Sequence, residues 1–355
     1  MTPSTMSQST LAVLLGILAV SSRSLSCQAR ILLVPVVRLS SSGDSVDIHP
    51  SATVALSPTG TLVARVSAAS GAPLAAFDGK GRLTALISKR GGGPGELFDV
   101  GEFGFGPGDS LFAQDATSSR VSVFTPELPY RFARSFAVPI RSQVRIDGDN
   151  LYTLVFATAE SRSGLVWHPA RRLAWDGTVL RAFGGPEFAR KAEYERFVPI
   201  GTDAIWTAAT DRYELELRRA DAVALRVTRA LDWFPTYTTP DVAMPWTTRP
   251  RSSIAALSVD GRYLWVLLSR ASRNWKPFVG GATSARPGLP PKGLRPEDLF
   301  EWVLEAFDQA TGKWAASLEV KGSVAGFAAP GVVRVRSVDD DGMTSVRLLR
   351  ARVVQ

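Results

Sequence analysis

The chain has 355 residues, 45% of them apolar, with one cysteine, two histidines and a formal net charge of +8. Cys27 alone cannot form an internal disulfide, and with only His49 and His168 beside it the usual three or four ligands of a zinc centre cannot be assembled. A basic surface attracts anionic partners such as polyanionic glycans, lipid headgroups or nucleic acid, but the basic residues are scattered, with no block of five or six like charges and no basic helix, so the excess reads first as solvated surface and not as a nucleic-acid interface.

In chain order, the first feature is Leu11–Val20, an apolar run too short to span a bilayer comfortably but suited to the core of a secretory signal peptide. Small residues follow at Ser22, Ser26 and Ala29, although the customary positive charge before the run is missing. Cys27 stands in Ser24-Leu25-Ser26-Cys27, similar to a lipoprotein box but with leucine two residues before the cysteine instead of three. Residues 1–29 are therefore expected to be a signal peptide or lipoprotein-type leader. The destination is expected to be periplasmic, extracellular or lipid-anchored at the envelope, and the leader, if lipidated, is the only expected membrane contact.

After the leader the sequence repeats itself. A glycine turn followed by a short apolar strand recurs at Gly60-Thr-Leu-Val63, Gly108-Asp-Ser-Leu-Phe112, Gly148-Asp-Asn-Leu-Tyr152, Gly201 to Trp206, Gly261-Arg-Tyr-Leu-Trp265 and Gly331-Val-Val333. A later strand ends in an aromatic and a turn at Ala76-Phe-Asp-Gly79, Val123-Phe-Thr-Pro126, Ala174-Trp-Asp-Gly177 and Ala306 to Gly312. Units of roughly 40 to 70 residues, rich in β-branched and aromatic runs bounded by Gly, Asp and Pro, each suffice for one four-stranded blade. The expected fold is all-β, a six-bladed β-propeller of four-stranded antiparallel blades over residues 30–355, with Ile31–Leu39 or Val46–Ile48 closing the ring against the last blade so that no seam edge stays open. One helix is expected over Arg295–Ala306, where Pro296, Glu297 and Asp298 give a helix-entry pattern.

The densest motif is Ser88-Lys-Arg-Gly-Gly-Gly-Pro-Gly-Glu96, followed by Gly108-Asp-Ser110, Asp115 and Arg120-Val-Ser-Val-Phe124. This stretch resembles the bacterial six-bladed β-propeller family related to NHL repeats, the TolB-like propellers, in its Gly-Pro-Gly-Glu turn, Gly-Asp-Ser strand, Asp and Arg-Val-x-Val-Phe strand. The likeness covers about forty residues closely and the rest only in pattern, as expected of repeat architectures whose units diverge. Blade four departs from it, since Arg218-Arg-Ala-Asp221 lacks the aromatic-Asp pair. The resemblance implies an exported propeller with a binding role more than a reaction.

The motif also has a plain physical reading. Gly91, Gly92, Gly93 and Gly95 are expected to supply positive φ and Pro94 a fixed φ, giving a compact loop in which Glu96 pairs with Arg90 or accepts from amides. Asp115 suits an Asx turn, with Arg120 reaching it or a nearby carbonyl. A phosphate-cradling P-loop is not expected, because neither Lys-Ser nor Lys-Thr follows Gly95.

Other candidates are weighed against similar alternatives. The connection over residues 270–301 carries Arg273, Trp275, Lys276 and Phe278, which could form a cationic, stacking lip for a ligand or simply cap the propeller. Asp339-Asp-Asp-Gly342 could bind calcium but reads first as a polar hairpin tip. Trp206, Trp265, Trp175 and Trp314 are expected to pack between blades, leaving Trp233, Trp246 and Trp275 as the better candidates for sugar contact. No Gly-x-Ser-x-Gly elbow places a nucleophile.

The function expected from all this is a noncatalytic binding or scaffolding module. Its ligand would be a peptide, a glycan or an anionic small molecule, held at the channel mouth or beneath the 270–301 loop. The candidate ligand-binding residues are Arg90, Glu96, Asp115, Arg120, Arg273, Trp275, Lys276 and Phe278, with no catalytic residue, metal ligand or cofactor assigned. The alternative is a lactonase-like hydrolase or lyase of the propeller type that uses a carboxylate-bound divalent metal.

Overall fold

The computed structural model describes residues 29–40, 46–49, 51–67, 70–138, 142–147, 150–155, 170–184, 195–209, 212–220, 222–237, 248–277, 296–339 and 343–355. Residues 1–28, and with them Leu11–Val20 and Cys27, lie outside that set, as do His168, Trp246, Phe278 and Asp340 to Gly342.

Glycine and Asx turns cut the chain into short extended runs that pair with their sequence neighbours, giving six four-stranded antiparallel sheets. The outermost strand of the last sheet comes first in sequence, β1 (Arg30–Ser40). Blade one is β2 (Val54–Leu56), β3 (Leu62–Arg65), β4 (Leu74–Phe77) and β5 (Leu83–Ile87). Blade two is β6 (Val100–Phe105), β7 (Leu111–Asp115), β8 (Arg120–Phe124) and β9 (Phe132–Ala137). Blade three is β10 (Ser142–Asp147), β11 (Asn150–Val155), β12 (Ala170–Leu173) and β13 (Val179–Phe183). Blade four is β14 (Glu195–Ile200), β15 (Ala204–Ala209), β16 (Glu214–Arg219) and β17 (Ala222–Thr228). Blade five is β18 (Ser253–Asp260), β19 (Tyr263–Ala271), β20 (Phe300–Asp308) and β21 (Trp314–Val320). Blade six is β22 (Ser323–Ala329), β23 (Val332–Val338) and β24 (Thr344–Val354), completed by β1.

The first strand of each blade touches the first strands of its two neighbours, so β2, β6, β10, β14, β18 and β22 close a ring around an axis. The chain is a six-bladed β-propeller. Between successive blades lie six apolar clusters, one for each junction. Trp206 fills the junction of blades four and five, and Trp265 that of blades five and six. Burial of such side chains at about 1.5–3 kcal/mol each is what holds neighbouring sheets face to face. Closure is made by β1, which pairs with β24 from Arg30↔Val354 to Ser40↔Ser345 and buries Ile31 and Leu39. The shorter Val46–Ile48 segment forms no strand of the closing sheet and bridges to the end of blade one's second strand, Ile48↔Val66.

Two expectations need correction. The helix over Arg295–Ala306 is a single turn, α1 (Pro296–Leu299); from Phe300 onward the chain is β20. The entry signals Pro296, Glu297 and Asp298 start a turn, but Phe300–Asp308 pairs on both sides, with β19 and β21, and buries Val303, Leu304, Ala306 and Phe307 between blades. A ladder satisfied on both edges outcompetes a local helical preference. Because β19 runs to Ala271 and β20 begins at Phe300, the long connection of blade five spans residues 272–299. Trp314 is not sequestered between blades, being 41% exposed.

Alternation of strand direction gives the disc two unlike faces. First-to-second and third-to-fourth hairpins point to one face. Second-to-third hairpins and blade-to-blade crossovers share the other, here called the crossover face. The four longest connections, β19 to β20, β17 to β18, β11 to β12 and β1 to β2, all belong to the crossover face by that parity.

Candidate functional site

The glycine-rich crossover from β5 to β6 is a clamp between blades one and two. Asp115, with no exposed surface, accepts hydrogen bonds from the backbone N–H groups of Phe98 at 3.1 Å, Asp99 at 3.4 Å, Thr117 at 3.0 Å and Ser118 at 3.4 Å. Burial raises the Asp115 pKa, but these donors outweigh it and hold the carboxyl below the ordinary range. Arg120 donates to the carbonyls of Gly92, Gly93 and Glu96, the last at 2.8 Å. Glu96 accepts from the Gly93 N–H at 2.9 Å, and Arg90 lies exposed beside the loop.

Only Gly95 of the four glycines has positive φ, +76°, where a Cβ would meet Phe132 at 2.6 Å. At Gly91 and Gly93 the missing side chain makes room for the Glu96 carboxylate, and at Gly92 for the Phe98 ring. Here the glycines serve close approach more than unusual dihedrals.

Blade five, opposite blade two in the ring, holds the second predicted group. Arg273 donates its backbone N–H and Nε to Glu301 at 2.9 and 3.1 Å and its Nη2 to Glu319 at 2.8 Å. Arg270 bridges the same two glutamates, and its guanidinium lies 5.4 Å from the Trp233 ring. Two arginines and two glutamates thus tie the root of the long connection to β20 and β21. Trp275 is half-buried, its backbone N–H donating to the Ser272 carbonyl, while Lys276 is exposed; Phe278 lies outside the described residues.

A third constellation, which sequence reading missed, lies on the ring axis. Arg145 of β10 forms an ion pair with Glu102 of β6 at 2.9 Å and stands 5.9 Å from the Phe197 ring of β14. Arg196, also on β14, is depressed in pKa first by burial, then by Arg145, against the opposing pull of Glu102. No hydrogen-bond partner is found for its buried Nε.

Arg334 comes from β23, one strand further out, and reaches inward past Gly326 of β22 to donate to the Ala325 carbonyl at 2.6 Å. Its Nε is also buried without a partner, and its pKa is lowered to about 10 by burial, with Glu102 opposing and Arg145 adding to the fall. By surface area Arg334 is only half-buried, because it is ringed by protein yet faces the channel.

Toward the crossover face the basic column continues. Arg336 stands two residues along β23 on the same side as Arg334, half-buried, with an unpartnered Nε. Its pKa is lowered by burial and raised in part by Glu297 of α1. Arg65 at the end of β3 pairs with Asp99 at 2.7 Å and donates to the Val100 carbonyl at 2.9 Å. His49, its Nδ1 2.9 Å from Ser51 Oγ, is lowered in pKa by burial and by Arg65 and Arg336, against Asp99. Among the described residues, five arginines from blades one, three, four and six face three carboxylates, Glu102, Asp99 and Glu297.

That excess over paired charge is what a small anion would complete, since guanidinium forks recognise carboxylate and phosphate oxygens in pairs. A trace of it was present in the sequence: Glu102, Arg145 and Arg196 each interrupt an apolar strand three to six residues before a repeat glycine, Gly108, Gly148 or Gly201. Among the described residues no three His, Cys, Asp or Glu side chains gather so as to hold a metal ion, and no helix is long and apolar enough to cross a membrane.

Comparison with known proteins supports the architecture alone. No protein-family profile matches the chain. No curated protein matches it in sequence. Among solved structures it is similar to a Bacteroides fragilis protein named for its inferred export, at 12% identity and a TM-score of 0.54, over 92% of this chain and 96% of that one. It is more distantly similar to virginiamycin B lyase from Staphylococcus aureus, at 9% identity and a TM-score of 0.45, over 90% of this chain and 99% of the lyase. Aldose sugar dehydrogenase from Streptomyces coelicolor gives 13% identity and a TM-score of 0.43, over 92% of this chain and 99% of that chain.

Proposed function

We propose that this propeller is an exported, noncatalytic binding module whose ligand is a small anion held in the axial channel, entering from the crossover face. The observation that carries the reading is the set of three axial arginines, Arg145, Arg196 and Arg334, held against one carboxylate, Glu102, with the Nε atoms of Arg196 and Arg334 buried and unpartnered. An unpaired buried charge is costly, and a protein that keeps several together gains most when a complementary ligand neutralises them. Export rests on the Leu11–Val20 run and the small residues after it. In this reading the protein uses no cofactor and binds no nucleic acid.

Thermal unfolding at constant ionic strength tests the reading, with chloride replaced stepwise by acetate, phosphate or sulfate. A ligand at a hundred times its dissociation constant stabilises the folded state by about 2.7 kcal/mol, a readable rise in midpoint. The wild-type protein should show that rise and Arg196→Met should lose it. Equal midpoints in all four salts would sink the proposal. A parallel arm with EDTA addresses the alternative: a midpoint that falls on chelation and returns with calcium, magnesium or manganese would favour a metal-dependent hydrolase or lyase.

A further inference from the structure

The basic column has two stations, and their arrangement says something about the shape of the anion. The inner station is Arg145, Arg196 and Arg334 around Glu102 on the axis. The outer station is Arg336 at the rim, close to His49 and flanked by Arg65, which is already committed to Asp99 and the Val100 carbonyl. Arg334 and Arg336 belong to one strand, two residues apart and on one side of it, so their backbone origins are about 7 Å apart along the channel. Both carry a buried Nε without a partner. A single carboxylate or phosphate would engage one station and leave the other uncompensated.

Resting on the anion-binding reading above, we infer that the channel takes a linear dicarboxylate whose two carboxylates are about 7 Å apart, one on the axis between Arg334 and Arg196 and the other at the rim on Arg336. The ligand lies along the channel with its aliphatic middle against the β22 edge between Ser323 and Gly326, the partners of Arg336 and Arg334, where Val324 and Ala325 carry no charge. Gly326 keeps that wall low, because a Cβ there would stand 2.9 Å from Arg334 Nη2. Each carboxylate keeps its charge throughout and no bond is made or broken.

The test is calorimetric titration of the full folded chain with acetate, succinate, glutarate, adipate and pimelate at one ionic strength, on the wild-type protein, Arg336→Gln and Arg196→Met. For the wild-type protein, affinity should rise with chain length to a maximum at the longer diacids, at least about tenfold above acetate, as two charge-assisted contacts replace one. Arg336→Gln should bring every diacid down to the acetate value while leaving acetate unchanged, and Arg196→Met should lose acetate and diacids together. If acetate binds and the diacids bind no better, or if Arg336→Gln leaves the length dependence intact, the two-station inference is overturned and the axial anion site survives. Should no carboxylate bind the wild-type protein, the anion-binding reading falls with it. The wild-type length series needs no variant, so a poorly folded Arg336→Gln would not shield the inference.

Discussion

Arg334 reaches the ring axis by crossing the inner strand of its own blade at Gly326: Gly326 has φ +105°, and a Cβ there would stand 2.9 Å from Arg334 Nη2. Register shifts on both sides of Gly326 open the strand locally, leaving the Ala325 carbonyl to accept from Arg334. Gly326→Ala should therefore do two things at once. It forces a strained left-handed residue, costing about 1–3 kcal/mol. It also displaces Arg334, so the stabilisation by phosphate or acetate should shrink. Urea unfolding with and without the anion reads both; a variant that loses stability but keeps the full anion effect would mean Arg334 is not part of the site.

Arg196 leads to a prediction of opposite sign. Its charge is desolvated, sits near the like charge of Arg145, and has a buried Nε with no partner. Replacing an unsatisfied buried charge with an apolar side chain of similar length commonly stabilises, whereas most large-to-small core changes do not. Arg196→Met should raise the unfolding free energy of the ligand-free protein by about 1 kcal/mol while removing its response to anions. A loss of stability without ligand would indicate that the Arg196 charge is already compensated.

The contrast between these arginines and the glycine motif shows what a sequence read alone yields. Repeat glycines such as Gly60, Gly201 and Gly261 sit at hairpins with positive φ, a local requirement that composition records directly. Asp115 and Arg120 likewise act on backbone within thirty residues, so their turn-building role was legible. The axial site was not, because Glu102, Arg145, Arg196 and Arg334 come from four blades and are brought together only by ring closure, which no sequence period encodes. The helix expected over Arg295–Ala306 failed for the same reason: its entry signals are local, while the ladders that make Phe300–Asp308 a strand come from residues on either side of a long connection.

Asp115 connects the legible part of the fold to acid stability. Four backbone N–H groups point at one carboxylate with no exposed surface, and removing it leaves them without partners. Asp115→Ala should cost about 3 kcal/mol or more. Because burial raises the Asp115 pKa less than its donors lower it, the folded value lies below the unfolded one. The carboxylate therefore contributes stability above the ordinary Asp range, about pH 4, that is lost as pH falls through the lower folded value. The wild-type protein should lose stability on acidification more steeply than Asp115→Asn, which has no carboxylate to protonate at that position. Parallel slopes would remove Asp115 from the account of acid unfolding.

The seam between the first and last strands is where the ring as a whole can be tested. Leu39, 1% exposed near the end of β1, packs with Val46, Ile48, Val54, Val332 and Val346, joining the closing strand to blades six and one in one apolar cluster. Leu39→Ala should cost about 2–5 kcal/mol from lost transfer energy and the cavity left behind. A deeper lesion, deletion of residues 30–40, would strip β24 of its outer partner from Ser345 to Val354 and bare that hydrogen-bonding edge, an invitation to intermolecular pairing. The deletion variant should elute as oligomers on size exclusion, while Leu39→Ala stays in the wild-type form but unfolds at lower urea. If the deletion variant stayed in the wild-type form with a normal midpoint, blade six would be complete with three strands and the ring would not depend on β1 for closure.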